Sequence, residues 1–511
     1  MSAAGGDRRP NNLFVTIDQW RADSLSCAGH PCARTPNIDA LAARGVRFAR
    51  HYAQAAPCGP SRASLLTGTY LHTHRSVGNG TPLPSHLTNL ALELRAAGYD
   101  PTLFGYTDTT ADPRTIDDPA SPWLRTYEGV LPGFTVGTRL PEAAEKWVEW
   151  LRGHGYDFTD VWDAYRQRDD VDTTGRGASW APTRYAAEHS EAAFLVERFG
   201  QWHASLDAGS PWCAHVTFLR PHPPYVAPAP YHDLIDPSSV PAPVRHATVE
   251  DEGAEHPMVA AAMFAEVVRP PSDPVDMAQL QATYWGNLAE VDAQFGRLLD
   301  LVDQAGQADE TLVVLTSDHG EQLGDHWMLQ KLGFFEASYH VPLLVAGPGV
   351  AVTAGGAAGA VVEEHFTEAV DVMPTILELC GLPVPSQCAG SSLRPFLEGT
   401  VPTRWREAAH WEWDFRDALA AAGVDVGIDL DQCVLAVCRE KDRKYVHFAG
   451  LPPAFYDLAG DPDELHNLAD DPSRQAEVLE CAQRMLSWRL SSDDQTLANL
   501  TATPDGIVDL R

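Results

Sequence analysis

The feature that most constrains this chain is a series of short apolar, often β-branched runs, each of which stops at polar or glycine residues. Leu13–Ile17 stops at Asp18-Gln19, and Thr102–Phe104 at Gly105-Tyr106-Thr107-Asp108. Trp212–Leu219 stops at Arg220-Pro-His222-Pro-Pro-Tyr225, Leu312–Thr316 at Ser317-Asp318-His319-Gly320, and Val341–Val345 at Ala-Gly-Pro-Gly349. Such runs read as strands buried on both faces. Helical periodicity lies between them, at Ile38–Arg47, Leu87–Ala97 and, longest, Met277–Ala305. The alternation predicts an α/β fold, a large mixed, mostly parallel sheet sandwiched by helices. Ligands of open sheets bind beyond the carboxyl ends of the strands. The residues at which the runs stop are therefore the first candidates for a site.

The texture changes after the helix expected at Thr367–Cys380. Short segments such as Cys433–Cys438 and Lys444–Phe448, then a helical stretch near Arg474–Arg489, predict a smaller α+β subdomain. We place a catalytic domain over 1–385 and this subdomain, with a small antiparallel sheet, over 386–511. Residues 225–275 are rich in proline and read as a long excursion over the active face.

Charge narrows the partners. With 37 Lys+Arg against 70 Asp+Glu the net charge is −33, which argues against nucleic acid and anionic membrane. No apolar run approaches the roughly 18 residues of a membrane span. The opening Met1–Pro10 has no apolar core of a secretory signal. Nine cysteines, an odd number without a CxxC pair, fit a reducing compartment, so a cytoplasmic location is expected.

Two pairs of ligand-type residues, Asp18-Gln19 and Asp318-His319, follow separate strands. Oxygen-rich ligands with one imidazole suit a hard or borderline divalent ion. The sharpest string is Pro57-Cys58-Gly59-Pro60-Ser61-Arg62-Ala-Ser-Leu-Leu-Thr67-Gly68. Cys58 precedes a likely helix start, where free N–H groups favour negative charge, and Arg62 one turn on can share its face. A cysteine so placed is expected to be activated.

Cys-x-Pro-Ser-Arg followed by Ser-Leu-Leu-Thr-Gly resembles the signature of the type I sulfatases. Asp18–Asp23, Thr35–Asp39, Ser317–Glu321 and Phe455–Ala469 fit the same family. Closer still, Arg220–Pro224, Asp371–Thr375, Glu412–Arg416, Ser487–Leu490, and Gln19 with His319 resemble the phosphonate monoester hydrolase and dimeric arylsulfatase branch of the alkaline phosphatase superfamily. The resemblance implies that a formylglycine-generating enzyme oxidises Cys58 to formylglycine. It also implies that Asp18, Gln19, Asp318, His319 and residue 58 hold one Ca²⁺ or Mn²⁺. Arg62 and Lys331 would orient residue 58 and the anion. His222 and Lys331 would contact the transferring group and protonate the leaving group, and Asn79 and Tyr106 would hold non-bridging oxygens. His72, His74 and His326 are weaker candidates, and Phe455–Ala469 reads as structural. A homodimer or homotetramer is implied, with Arg489–Arg511 reaching to a neighbour.

The implied substrate is a small anionic ester. Phosphonate hydrolases tend to carry Ala where this chain has Ser61 and Thr where it has Asp108. The expectation is therefore sulfate monoester hydrolysis first and phosphonate monoester or phosphodiester hydrolysis second, with Asp108 facing the substrate. Phosphate monoester dianions come last, since a carboxylate there repels an extra charge. A non-catalytic anion-binding relative, which would leave Cys58 unmodified, is the remote alternative.

Overall fold

The computed structural model describes residues 9–140, 144–207, 209–350 and 359–509. Most of the opening segment Met1–Pro10 and the last two residues of the Arg489–Arg511 tail fall outside them. An eight-stranded sheet forms the centre. Its strands are β1 (Asn11–Ile17), β2 (Val46–Phe48), β3 (Pro101–Gly105), β4 (Thr135–Arg139), β5 (Cys213–Phe218), β6 (Thr311–Ser317), β7 (Leu343–Ala346) and β8 (Ala360–Val362). They lie in the order β4-β3-β5-β1-β6-β7-β2-β8. Every residue of β1, β3, β5, β6 and β7 is buried, as their uninterrupted apolar runs predict.

Helices cover both faces, the principal ones being these six. They are α1 (Pro36–Ala43), α2 (Cys58–Thr67), α3 (Leu90–Ala96), α4 (Glu191–Ala204), α5 (Pro274–Gln304) and α6 (Val372–Leu379). One apolar core packs α4 and α5 against one face through Phe194, Phe199, Leu288 and Phe295. A second packs α2, α3 and α6 against the other through Leu65, Leu94 and Ile376.

Three sequence expectations differ from this outcome. The helix expected over Thr367–Cys380 begins only at Val372, because Thr367–Glu368 is a strand paired parallel with His51–Tyr52 and Ala369–Asp371 is a single 3₁₀ turn. The helix expected over Ile38–Arg47 ends at Ala43, and Val46–Phe48 is a strand. Gly45 supplies the break, and the apolar period of two in Val-Arg-Phe then takes over. The run Val341–Val345 is a strand, but it pairs antiparallel with β6 and with β2. Its Gly347–Gly349 turn therefore lies at the edge opposite the other strand ends. All remaining pairs in the sheet are parallel. The excursion at 225–275 contains two short helices, Val249–Ala254 and Pro257–Ala262.

Beyond residue 400 a four-stranded antiparallel sheet forms from β9 (Ala408–Asp414), β10 (Val434–Glu440), β11 (Arg443–Phe448) and β12 (Ala454–Asp457). Helix α7 (Gln475–Ser491) packs on it through Cys481 and Met485. We propose the division at 385/386 because this sheet shares no strand with the large one, although Trp411 and Tyr456 share a core with Tyr52 and Phe334. All nine thiols are free and seven are buried. Among the described residues no helix is long and apolar enough to cross a membrane.

Candidate active site

The site follows from register. β1 and β6 are adjacent and parallel, with Ile17 opposite Ser317, so Asp18 and Asp318 leave the sheet side by side. Cys58 is the first residue of α2, whose ten residues are all buried. Helix α2 can press this close because residue 59 is glycine. A Cβ there would stand 3.0 Å from Asn79 Oδ1 and 3.1 Å from the Asp108 carbonyl oxygen. Asp18, Cys58, Asp318 and His319 each bring a ligand atom to within 4.8 Å of the others. Cys58 Sγ lies 3.1 Å from His319 Nε2. Asp18 Oδ1 is buried without a hydrogen-bond partner. An orphaned carboxylate oxygen among nitrogen, sulfur and oxygen donors fits a divalent ion.

Arg62 lies beneath this group, 1% exposed. It donates from Nε to Asp318 Oδ2 at 2.9 Å and from a terminal nitrogen to Asp18 Oδ2 at 3.1 Å. Its guanidinium stacks on the Tyr106 ring at 4.3 Å and stands 3.8 Å from Asp108. Tyr106 donates its hydroxyl to Asp18 Oδ2 at 2.6 Å. A cavity of about 300 Å³ opens over these residues, lined by Asp18, Cys58, Asn79, Tyr106, Asp108, His222 and Lys331. A larger cavity of about 720 Å³ lies between Glu145–Gly153 and α4, away from every one of them.

The activation expected of Cys58 does not occur. Burial, then the carboxylates Asp18, Asp318 and Asp108, push its thiol well above the ordinary range, and Lys331 only partly opposes them. Arg62 cannot help, because it is spent on Asp18 and Asp318. A neutral thiol is a poor nucleophile. Burial raises Asp18, but the positive charge of His222 when protonated, Arg62, His319 and Lys331 holds it below the usual carboxylate range. Burial and Lys331 lower His222 to about 3, so its imidazole is neutral at pH 7. Burial lowers Lys331, yet the negative charge of Cys58 when ionised, then of Asp18 and Asp318, raises it above its ordinary value, which leaves it cationic. Burial lifts Asp108 to about 7, with Arg62 opposing and Asp18 and Asp318 assisting.

Gln19 joins two parts of the site. Its Oε1 accepts from Lys331 Nζ at 2.8 Å, and its Nε2 donates to Glu321. The Ser61 hydroxyl donates to the Asp318 carbonyl and does not line the cavity. The weaker candidates have structural partners: His72 sits on Glu412, His74 on Ser64, and His326 on Glu252.

Two residues given no role from sequence matter here. Glu321 is fully buried, and its carboxylate takes hydrogen bonds from Gln19 Nε2, the Tyr225 hydroxyl, Leu323 N and Gln330 N. One side chain thus ties together the loops that carry Asp18, His222 and Lys331. Its only signal is its place in Ser317–Glu321. Arg220 donates to the carbonyls of His222 at 2.8 Å and Pro224 at 2.6 Å, and pairs with Glu191 at 3.2 Å. Tyr127 and Glu128 also line the cavity, and nothing in their sequence context marks them.

The sulfatase family model matches residues 10–382. The chain belongs to the sulfatase family. The family lies in the alkaline phosphatase superfamily. A second model, the C-terminal part of N-sulphoglucosamine sulphohydrolase, matches residues 324–491 of this sulfatase-family hydrolase. It is 40% identical to a multifunctional alkaline phosphatase superfamily protein of Trinickia caryophylli, over 98% of the chain and 99% of the relative. It is similar to the crystal structure of phosphonate monoester hydrolase of Agrobacterium radiobacter, at 44% identity and a TM-score of 0.91, covering 98% of this chain and 100% of that one. An arylsulfatase of Clostridium perfringens is 26% identical over 80% of this chain and 82% of its own.

Proposed function

We propose that this sulfatase-family chain hydrolyses small monoanionic esters, phosphonate monoesters and phosphodiesters foremost and sulfate monoesters second. The observation that carries the reading is Cys58, a neutral thiol at the head of α2, set among Asp18, Asp318 and His319 and facing a cavity with His222 and Lys331. Such a thiol has no evident use unless it is converted, which supports its oxidation to formylglycine by a maturation enzyme. One Ca²⁺ or Mn²⁺ would be held by Asp18, Asp318, His319 and residue 58, with Gln19 adjoining. Loaded in this way, residue 58 supplies an oxygen nucleophile and the ion lowers its pKa.

The chain's own residues do the rest. Arg62 and Tyr106 fix the Asp18 carboxylate. Lys331, cationic and fixed by Gln19, faces the negative charge that builds on the transferring group. His222 is neutral at pH 7, so Lys331 is the better proton donor to the leaving oxygen. Asn79 holds the Gly59 N–H at 2.9 Å and so positions the start of α2.

The sulfate-first order expected from sequence rested on Ser61 and Asp108. Ser61 is turned away from the cavity, and Asp108 meets a phosphonate monoester and a sulfate ester as equal monoanions. Identity of 44% over 98% of the chain to the Agrobacterium phosphonate monoester hydrolase therefore carries more weight. Assembly into a homodimer or homotetramer is part of the proposal. It is supported by the exposed Leu486, Leu490, Leu497 and Ile507 on and beyond α7. The reading is tested by parallel kcat/KM values for an aryl phosphonate monoester and an aryl sulfate, with Cys58→Ala as control. Phosphonate is expected to lead by tenfold or more, about 1.4 kcal/mol. A sulfate lead of that size reverses the order, and full activity in Cys58→Ala removes the mechanism.

A further inference from the structure

A second set of metal-ligating side chains stands outside the catalytic cavity. His246 lies in the proline-rich excursion, Glu255 just past the helix Val249–Ala254, and His466 in the turn after β12. Each brings a ligand atom to within 4.8 Å of the other two. His246 Nε2 is 3.6 Å from Glu255 Oε1, and the two imidazoles meet near edge-to-face with centroids 5.5 Å apart. Donors around a tetrahedral zinc at about 2.0–2.1 Å stand roughly 3.4 Å apart. One edge of that tetrahedron is therefore already formed.

The three residues are also held from behind. Glu255 Oε2 accepts the Asn467 N–H at 2.7 Å, which leaves Oε1 turned toward His246. The Asn467 side chain donates to the Glu255 carbonyl at 3.1 Å. The His466 N–H donates to Asp461 Oδ2 at 2.8 Å, and the His246 N–H donates to Glu252 Oε2 at 2.9 Å. Outer partners that fix the ligands in this way reduce the ordering cost of binding. His246 and Glu255 are half-buried and His466 is exposed, so the outer side stays open for a water ligand. His246 Nε2 faces the Leu465 carbonyl at 2.7 Å. Binding would replace the proton in that contact and bring the carbonyl within reach as a further ligand.

We propose that His246, Glu255 and His466 form a second metal site, selective for borderline ions of the zinc class, that clasps the excursion to the C-terminal sheet. Two imidazoles and a carboxylate suit zinc better than the oxygen-seeking Ca²⁺. The clasp bears on the active face through an unbroken set of contacts. Val244 N donates to Asp325 Oδ1 at 2.8 Å, and His326 N donates to the Val244 carbonyl at 2.8 Å. Glu252 holds the His326 ring at 2.9 Å. This is the loop that leads to Lys331.

The test is zinc content after equilibrium dialysis of the full-length enzyme, with the wild type and His466→Ala side by side. Any zinc at the catalytic ligands is common to both proteins and cancels. His466 is exposed, so its removal leaves the fold intact, and unchanged ester hydrolysis in zinc-free buffer verifies this. The wild type should hold one zinc equivalent more than the variant. Cobalt should give the wild type visible absorption beyond that of any ion at the catalytic ligands, and His466→Ala and His246→Asn should both lack this excess. Equal zinc content with equal cobalt spectra in the three proteins would overturn the proposal and leave a hydrogen-bonded surface cluster.

Discussion

Asp108→Asn should stabilise the metal-stripped protein, and by an amount that depends on pH. Asp108 is buried, and its carboxyl is lifted from 3.8 to about 7, first by desolvation and then by Asp18 and Asp318 against the opposition of Arg62. A raised acid favours the protonated form in the folded chain. Its contribution to stability is complete below pH 3.8 and is lost as the pH rises through about 7. A shift of roughly three units is worth about 4 kcal/mol. Asparagine keeps the shape, tolerates the left-handed backbone at φ 48°, and has no charge to bury. The gain from Asp108→Asn should therefore be about 0.5 kcal/mol at pH 4, about 1.5 kcal/mol at pH 5 and about 4 kcal/mol at pH 8. For 511 residues the unfolding entropy is about 1.1 kcal/mol/K, so the shift in Tm should grow to about 4 °C. Calorimetry of both proteins in chelator across that range is the assay. Adding back the divalent ion should shrink the gain at pH 8, because a cation beside Asp18 and Asp318 pulls Asp108 down. A Tm difference that is the same at pH 4 and pH 8 would refute the reasoning.

Glu321→Gln leaves two of four donors facing an amide nitrogen. kcat/KM on an aryl phosphonate should fall at least 100-fold (about 2.7 kcal/mol), and a loss under threefold would show that the three loops hold without it. Lys444 is fully buried against Glu464 among Phe334, Trp411 and Tyr456, so Glu464→Gln alone should destabilise by about 3–5 kcal/mol. Lys444→Met with Glu464→Leu should recover only part of that loss, because Glu336 N and the Phe334 carbonyl lose their partners and leucine is strained at φ 59°, and thermal melts of the single and double variants give the comparison. A Cβ at residue 320 would overlap the Ala337 carbonyl, so Gly320→Ala should cost at least about 1–3 kcal/mol and weaken ion binding at the adjoining His319. A melt within 1 °C of wild type would contradict this.

The strand ends were legible because an apolar run that stops at Asp18 or at Asp318-His319 has few other readings. The reversal of β7 was not, since an apolar run carries no direction. Only its pairing with β6 and β2 sets one. The motif marks Cys58 but not its charge state. The helix N-terminus and Arg62 are visible in sequence, whereas the three carboxylates that surround the thiol come from distant segments. Glu321 and Arg220 show the same limit. Each acts by fixing loops that meet only after the sheet forms.

Under the proposed conversion of Cys58, the burial of α2 also sets a timetable for maturation. In the folded chain Arg62 is bonded to Asp18 and Asp318, and Pro60 and Ser61 are as inaccessible as Cys58. The segment is open only as an extended chain, before β6 delivers Asp318. At about 5–20 residues per second, synthesis of the stretch between residues 58 and 318 takes on the order of 13–50 s. Slower translation of that stretch would raise the converted fraction. A chain released unconverted would bury Cys58 as a thiol, stably folded and inert.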